Sequence, residues 1–304
     1  MKRSNIITLL IPFIFCSGVI RDDVNENEHL KLANQPLFNC VGQVFKDNIS
    51  IGSCVLVKNK FALSAAHVFI ENNNTNKKNI QTNASSKKVE VSTDKKIESA
   101  TNYFFSFNGK SYQGKMITVH PMYLKNLSEG ICDICIIELN EEVKKVTPAI
   151  INTSLTELNS IAIGVGYGFF QKASEEKFSL INPKSIKNAG ENSIDLIDGY
   201  QLNKKSTLLE SDFDSPKNIK LNKMGDSKPL HLEYIPDGGD SGGGLFRKTK
   251  NTFELIGICQ SVSLAVETNA NKKFSHYGST ASWTRVSVFN EWIKPIIDKK
   301  SPKK

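Results

Sequence analysis

Apolar residues fall in short runs separated by Gly, Asn and Lys, at 40–45, 51–57, 61–64, 103–107, 116–119 and 134–139. Runs this short, closely spaced and punctuated by turn residues, predict the strands of an antiparallel barrel, not alternating strands and helices. A second set at 161–165, 194–197, 255–260 and 280–286 predicts a second barrel. The pattern changes only near the end. There Val288, Phe289, Trp292, Ile293, Ile296 and Ile297 recur at three- and four-residue spacing, which predicts an amphipathic helix over 287–299. Ser287 is placed to cap it, Pro295 is a cost inside it, and its apolar face is expected to dock on the second barrel.

Two stretches lack this rhythm before the first barrel. Lys2 and Arg3 precede an apolar run at 6–15, and Cys16-Ser17-Gly18 supplies small residues at its end, the pattern of a signal peptide over 1–18. A secreted chain, extracellular or periplasmic, is therefore expected. The run is too short for a membrane span, so no stable anchor is expected. Phe15 stands where a lipidation signal would need a small residue. The polar stretch 19–36 reads as a poorly packed lead-in. Within the first half, 71–100 is rich in Asn, Lys, Ser and Thr and reads as a solvated insertion, close enough after His67 to border a cleft.

Composition narrows the class. The chain has 304 residues, 39% of them apolar, enough to bury one or two cores. Its net charge of +8 favours anionic surfaces or peptides, but no zinc-finger spacing or glycine-aromatic RNA-binding signature accompanies it, and no nucleic-acid partner is expected. The chain reads as a monomer. If Cys16 leaves with the leader, five cysteines remain: Cys40, Cys54, Cys132, Cys135 and Cys259. An odd number leaves one unpaired within the chain, and those inside apolar runs read as small buried hydrophobes. Cys132 and Cys135 have C-x-x-C spacing without the surrounding pattern of a redox motif. His29, His120, His231 and His276 have no partner at metal-ligating spacing, so neither a metal site nor a cofactor is expected. Asn48, Asn73, Asn83, Asn126 and Asn152 begin N-x-[ST] patterns that matter only in a eukaryotic secretory host.

The stretch with the most chemical content is Gly238-Gly239-Asp240-Ser241-Gly242-Gly243-Gly244. Glycines around a serine suit a tight turn that brings backbone N–H groups close to a substrate, here those of Gly239 and Ser241, as an oxyanion hole. A serine hydroxyl needs a base, and the base needs a group to orient it. Leu63-Ser64-Ala65-Ala66-His67 supplies an imidazole after an apolar strand, and Asp133 leads directly into the apolar run at 134–139. The order His, Asp, Ser separates this arrangement from triads in which the acid comes first or the serine does.

With these residues the chain resembles the trypsin/chymotrypsin-like serine proteases, from about Val41 to Ile297. Ser64-Ala65-Ala66-His67 is similar to the family's T-A-A-H, Asp133-Ile134 to its D-I-A-L-L, and Gly239-Asp240-Ser241-Gly242-Gly243 to its G-D-S-G-G. Val119-His120-Pro121-Met122-Tyr123, Gly164-Val165-Gly166-Tyr167-Gly168 and Trp283-Thr284-Arg285-Val286 resemble lesser motifs, in order. The resemblance implies an all-β fold of two antiparallel six-stranded barrels packed around a cleft, with a C-terminal helix. The N-terminal barrel, 37–150, would carry His67 and Asp133, and the C-terminal barrel, 151–286, would carry Ser241.

It also implies a secreted endopeptidase acting on protein or peptide substrates. A protease-like binding protein without catalysis is the alternative, although such proteins commonly have a broken triad. The family's frequent cysteines after the histidine and before the G-D-S-G are absent, so its animal disulfide framework is not implied. By alignment without gaps, Ile235 falls at the base of the specificity pocket, Val262 and Ala281 at its walls, and Gln260 at a family serine near the aspartate. That set implies small or medium apolar side chains before the cut. A shift of two residues would bring Asp237 or Glu233 to the base and reverse the preference. Asn39-Cys40-Val41-Gly42 replaces the family's activation sequence, so cleavage before Val41 is not expected to switch the protein on, and Asp240 is expected to have another partner.

Overall fold

The computed structural model describes residues 17–71, 96–125, 131–173, 180–182, 185–250, 252–263 and 277–299. The apolar run at 6–15, insertion residues 72–95, Asn73, Asn83, Asn126, His276 and the basic tail after 299 lie outside the described residues.

The first half is the expected closed barrel. Its strands are β2 (Val41–Lys46), β3 (Ile49–Lys58), β4 (Phe61–Ser64), β5 (Tyr103–Phe107), β6 (Lys110–Val119) and β7 (Cys135–Leu139), joined in the order β2-β3-β4-β7-β6-β5. Alternate residues of β5 point inward: Tyr103, Phe105 and Phe107 are buried, while Phe104 is exposed. This two-residue period follows from the pleat and closes the barrel over an aromatic core in which Phe69 meets Tyr103 edge-on at 4.9 Å. Each fully buried side chain of this size contributes about 2–3 kcal/mol through the area it removes from water.

The second half holds its main core under a larger sheet than the six strands expected. β9 (Ile161–Gly166), β12 (Asn188–Ser193), β13 (Leu196–Leu202), β14 (Lys205–Asp212), β16 (Gly244–Lys248), β17 (Phe253–Ser263) and β18 (Thr280–Arg285) run in the order β12-β9-β16-β17-β18-β14-β13. β8 (Ile150–Ile151) joins as the eighth strand by pairing with β17. It straddles the boundary expected between 150 and 151. Asp195 N donates to Glu210 O and the Asn192 side chain to Asp212 O, which curls β12 back toward β14.

Three further findings differ from the sequence expectations. First, 19–36 is not a poorly packed lead-in. β1 (Ser17–Ile20) lies between β10 (Phe169–Lys172), to which it is parallel, and β15 (Tyr234–Ile235); β11 (Leu180–Asn182) completes that sheet. Val19, Ile20, Leu32 and Ala33 are buried, and α1 (Glu26–Ala33) starts at Asn25, whose side chain accepts from Asn27 N. A cut at Gly18 would divide β1.

Second, Ser287 does not cap the last helix. The chain makes a 3₁₀ turn over Val286–Phe289, and α3 (Asn290–Ile297) follows without a side-chain cap. Ser287 instead donates to Glu157 Oε1 at 2.7 Å, beside the buried Arg285–Glu157 ion pair. Third, the apolar face of α3 docks against the first barrel. The His120 ring meets Phe289 and Trp292 edge-on at 5.1 and 4.9 Å, and Ile293 and Ile297 join the core that holds Leu56 and Phe61. The Arg285–Glu157 pair, together with the Asn290 side chain donating to Asn152 O, fixes where α3 begins and sends it across the junction. Pro295 lies inside α3, which continues to Ile297. Among the described residues, no helix is long and apolar enough to cross a membrane.

Candidate active site

The two halves meet at the three residues singled out by spacing. His67 lies in a 3₁₀ turn (Ala66–Phe69) directly after β4, where Ala65 and Ala66 are buried and leave the imidazole at the surface of the junction. Asp133 precedes β7, which pairs with β4, so the sheet register places acid and imidazole side by side. His67 Nδ1 is 2.6 Å from Asp133 Oδ2, and the His67 backbone N donates to Asp133 Oδ1 at 2.9 Å. Both carboxylate oxygens are thus fixed by one residue. On the other side of the ring, His67 Nε2 is 2.9 Å from Ser241 Oγ. Asp133 is 2% exposed, which shields its interaction with the imidazole from water.

Ser241 stands on a turn whose backbone is held by several hydrogen bonds. Asp240 N donates to Asp237 O, Gly242 N to Cys259 O, Gly243 N to Asp240 O, and Ser53 N to Ser241 O. Gly239 has φ +93° and Gly242 φ +84°, left-handed values that favour glycine. A Cβ on Gly239 would come within 3.0 Å of Gly168 Cα. Among the described residues, the N–H groups of Gly239 and Ser241 are not engaged in hydrogen bonds, so both donors remain for a ligand.

Asp240 is buried beneath this turn. Its carboxylate accepts from Gly168 N at 2.7 Å and Asp237 N at 3.1 Å, yet burial makes it a weaker acid and pushes its pKa up to about 7. Gly18 of β1 is packed so closely that a Cβ there would lie 2.8 Å from Asp240 Oδ2. Val41 begins β2 in the first barrel, paired with Val55.

The remaining sequence candidates fall into two groups. Ile235, Cys259, Ala281 and Trp283 share one buried core with Val262 packed against it, and Val262 faces Ala281 across the β17–β18 ladder. Gln260 sits at the irregularity between Cys259 and Ser261, and its Oε1 accepts from the Thr284 hydroxyl at 3.0 Å. That hydroxyl also lies 2.9 Å from Asp133 O. Thr284 was legible only as part of a motif, with nothing in the sequence to assign its bonds. The five cysteines at 40, 54, 132, 135 and 259 are buried and unbridged. Burial pushes the Cys132 thiol up to about 11, which removes the thiolate a nucleophile would need.

No family model matches the chain, and no curated protein matches it. Solved structures do match in fold. One is mouse neuropsin, described as a serine protease expressed in the limbic system of the brain; it is 18% identical, with a TM-score of 0.53, over 88% of this chain and 96% of the neuropsin chain. At that identity the likeness is one of fold, and the fold is that of the trypsin-like serine proteases.

Proposed function

We propose that the protein is a secreted serine endopeptidase. Ser241 Oγ attacks the scissile carbonyl while His67 Nε2 accepts its proton, and Asp133 holds the imidazole in the required tautomer and stabilises its charged form. The N–H groups of Gly239 and Ser241 receive the negative charge that develops on the carbonyl oxygen. His67 then returns the proton to the leaving amine, Ser241 carries the acyl group as an ester, and a water deprotonated by His67 releases it. The observation that carries this reading is the continuous hydrogen-bonded chain from Asp133 through His67 to Ser241, with two unengaged backbone donors beside the serine.

The preference assigned for small or medium apolar residues before the cut rests on the residue types at the aligned pocket positions, Ile235, Val262 and Ala281. A carboxylate at the pocket base would be needed to offset the cost of burying a lysine or arginine. Glu233 is committed elsewhere: its two oxygens accept from Asp214 N at 2.7 Å and Leu230 N at 2.6 Å. Asp237 Oδ1 accepts from Gly238 N at 2.7 Å. Incubation with a denatured protein mixture, followed by sequencing of the new termini, tests this reading. Cuts after Ala, Val or Leu are expected, absent with Ser241→Ala. A strong majority after Lys or Arg would contradict the assigned preference.

A further inference from the structure

We propose that Ser53 is a positioning residue for the oxyanion-binding turn, joining the two halves of the molecule at the place where the reaction's negative charge is received. The inference deepens the reading of the site as a serine peptidase and rests on it.

Ser53 lies on β3 and is fully buried, and both its main-chain polar groups and its hydroxyl are committed to this junction. Its backbone N donates to Ser241 O at 2.8 Å, and its carbonyl accepts from the Ser64 hydroxyl at 2.7 Å. The hydroxyl accepts from Tyr167 N at 2.8 Å and donates to Gly239 O at 2.9 Å. One oxygen thereby links the first barrel, the segment after β9 and the Gly239–Ser241 turn.

The covalent geometry gives these bonds their significance. The N–H of Gly239 belongs to the 238–239 peptide plane and that of Ser241 to the 240–241 plane. Gly239 O belongs to the plane between them, and Ser241 O to the plane after them. Each peptide is rigid, so the turn can reorient only by rotating about the bonds that flank these planes. The Ser53 hydroxyl holds the intervening plane and the Ser53 N–H holds the following one. The close approach of β3 that this requires is visible at Gly52, where a Cβ would come within 3.1 Å of Ser241 O, and at Gly242, where a Cβ would meet Ser53 O at 2.2 Å.

Oxyanion donors act only if they are already aimed at the charge that forms, since turning them during the reaction would consume the stabilisation they provide. Without its hydroxyl, residue 53 would leave Tyr167 N–H and Gly239 C=O without this bridge, and the middle plane, then held only by the Asp240 N–H bond to Asp237 O, could tilt about that bond. The donors would remain present and be less well aimed. That predicts a loss in the chemical step while ground-state binding is preserved.

The test uses 4-nitrophenyl acetate as an acylating probe on the whole protein, with each rate normalised to the serine that can be acylated. Pre-steady-state measurement separates the saturating acylation rate from the apparent dissociation constant. Ser53→Ala is expected to slow acylation about tenfold to hundredfold, less than or comparable to removing a donor outright, and to change the dissociation constant less than about twofold. Ser53→Thr, which keeps a hydroxyl, is expected to restore most of the rate. Ser53→Cys, of similar size but a weak hydrogen bonder, should fall between and serves if the alanine variant does not fold. A folded Ser53→Ala or Ser53→Cys with wild-type acylation would overturn the proposal. So would a folded Ser53→Thr as slow as Ser53→Ala, or an effect confined to the dissociation constant. Failure of the wild type itself to be acylated would instead overturn the peptidase reading on which the proposal rests.

Discussion

Gly239 combines a left-handed φ of +93° with a hydrogen atom directed at the Gly168 backbone. Gly239→Ala is therefore expected to move the turn and lower kcat for peptide cleavage by about 10²-fold or more, the cost of losing an oxyanion donor, with a smaller effect on KM. Steady-state kinetics check this, and a variant within twofold of wild type would contradict it. At this scale the sequence was informative where chemistry forces a residue type. His67, Asp133, Ser241 and the glycines around the serine stand out because a hydroxyl nucleophile needs all of them. Ser53 and Thr284 do not stand out. A serine inside Ile51-Gly52-Ser53-Cys54 reads as one polar position of a strand, and the partners of its hydroxyl lie 114 and 186 residues away.

The elements tell a similar story with different failures. β4 and β5 have the bounds expected from their apolar runs, because a barrel strand with one face in the core needs continuous or alternating apolar side chains. β12, Asn188-Ala189-Gly190-Glu191-Asn192-Ser193, was missed because it is mostly polar; Asn188 and Asn192 are buried by hydrogen bonding through their side chains. α1 did carry a signal, Asn25 with Glu28 three residues on, in a stretch whose polarity hid it. The segment from β1 to α1 also has consequences. Asp22 accepts from the Tyr277 hydroxyl at 2.7 Å, Arg21 donates to Leu230 O, and β1 pairs with the strand that carries Ile235. Removing 17–40 would strip a partner from the expected pocket base and uncover Asp240. Active protein is therefore expected to retain β1, with N-terminal sequencing finding a start at or before Ser17. A start at Cys40 or Val41, with the longer form inactive, would contradict this.

Across the whole molecule, buried acids set the dependence of stability on pH. Burial raises Asp214 to about 7, with neighbouring acids adding to the effect, and raises Glu233 to about 8, while their unfolded values are 3.8 and 4.5. Between those limits the folded chain keeps protons that the unfolded chain has lost, so the stabilisation is complete at low pH and disappears as pH rises through 7 and 8. His29 and His120, held down to about 4 by burial, act in the opposite sense, but only up to about 6.5. Above that pH these two histidines no longer offset the acids. Thermal unfolding should show a lower Tm at pH 8.5 than at pH 6.5, and Glu233→Gln should reduce the difference; a Tm that rises over this interval would contradict the account. The two-half architecture was legible from strand rhythm and motif order, whereas the eight-stranded sheet and the docking of α3 depend on contacts between distant segments. The same architecture brings His67 and Asp133 from one half to Ser241 from the other, and a reactive serine is the central chemical consequence we propose for it. The most direct measurement is covalent labelling by a fluorophosphonate probe. The folded wild type is predicted to be labelled at Ser241 and the folded Ser241→Ala variant to remain unlabelled; an unlabelled wild type, or equal labelling of both, would contradict the account.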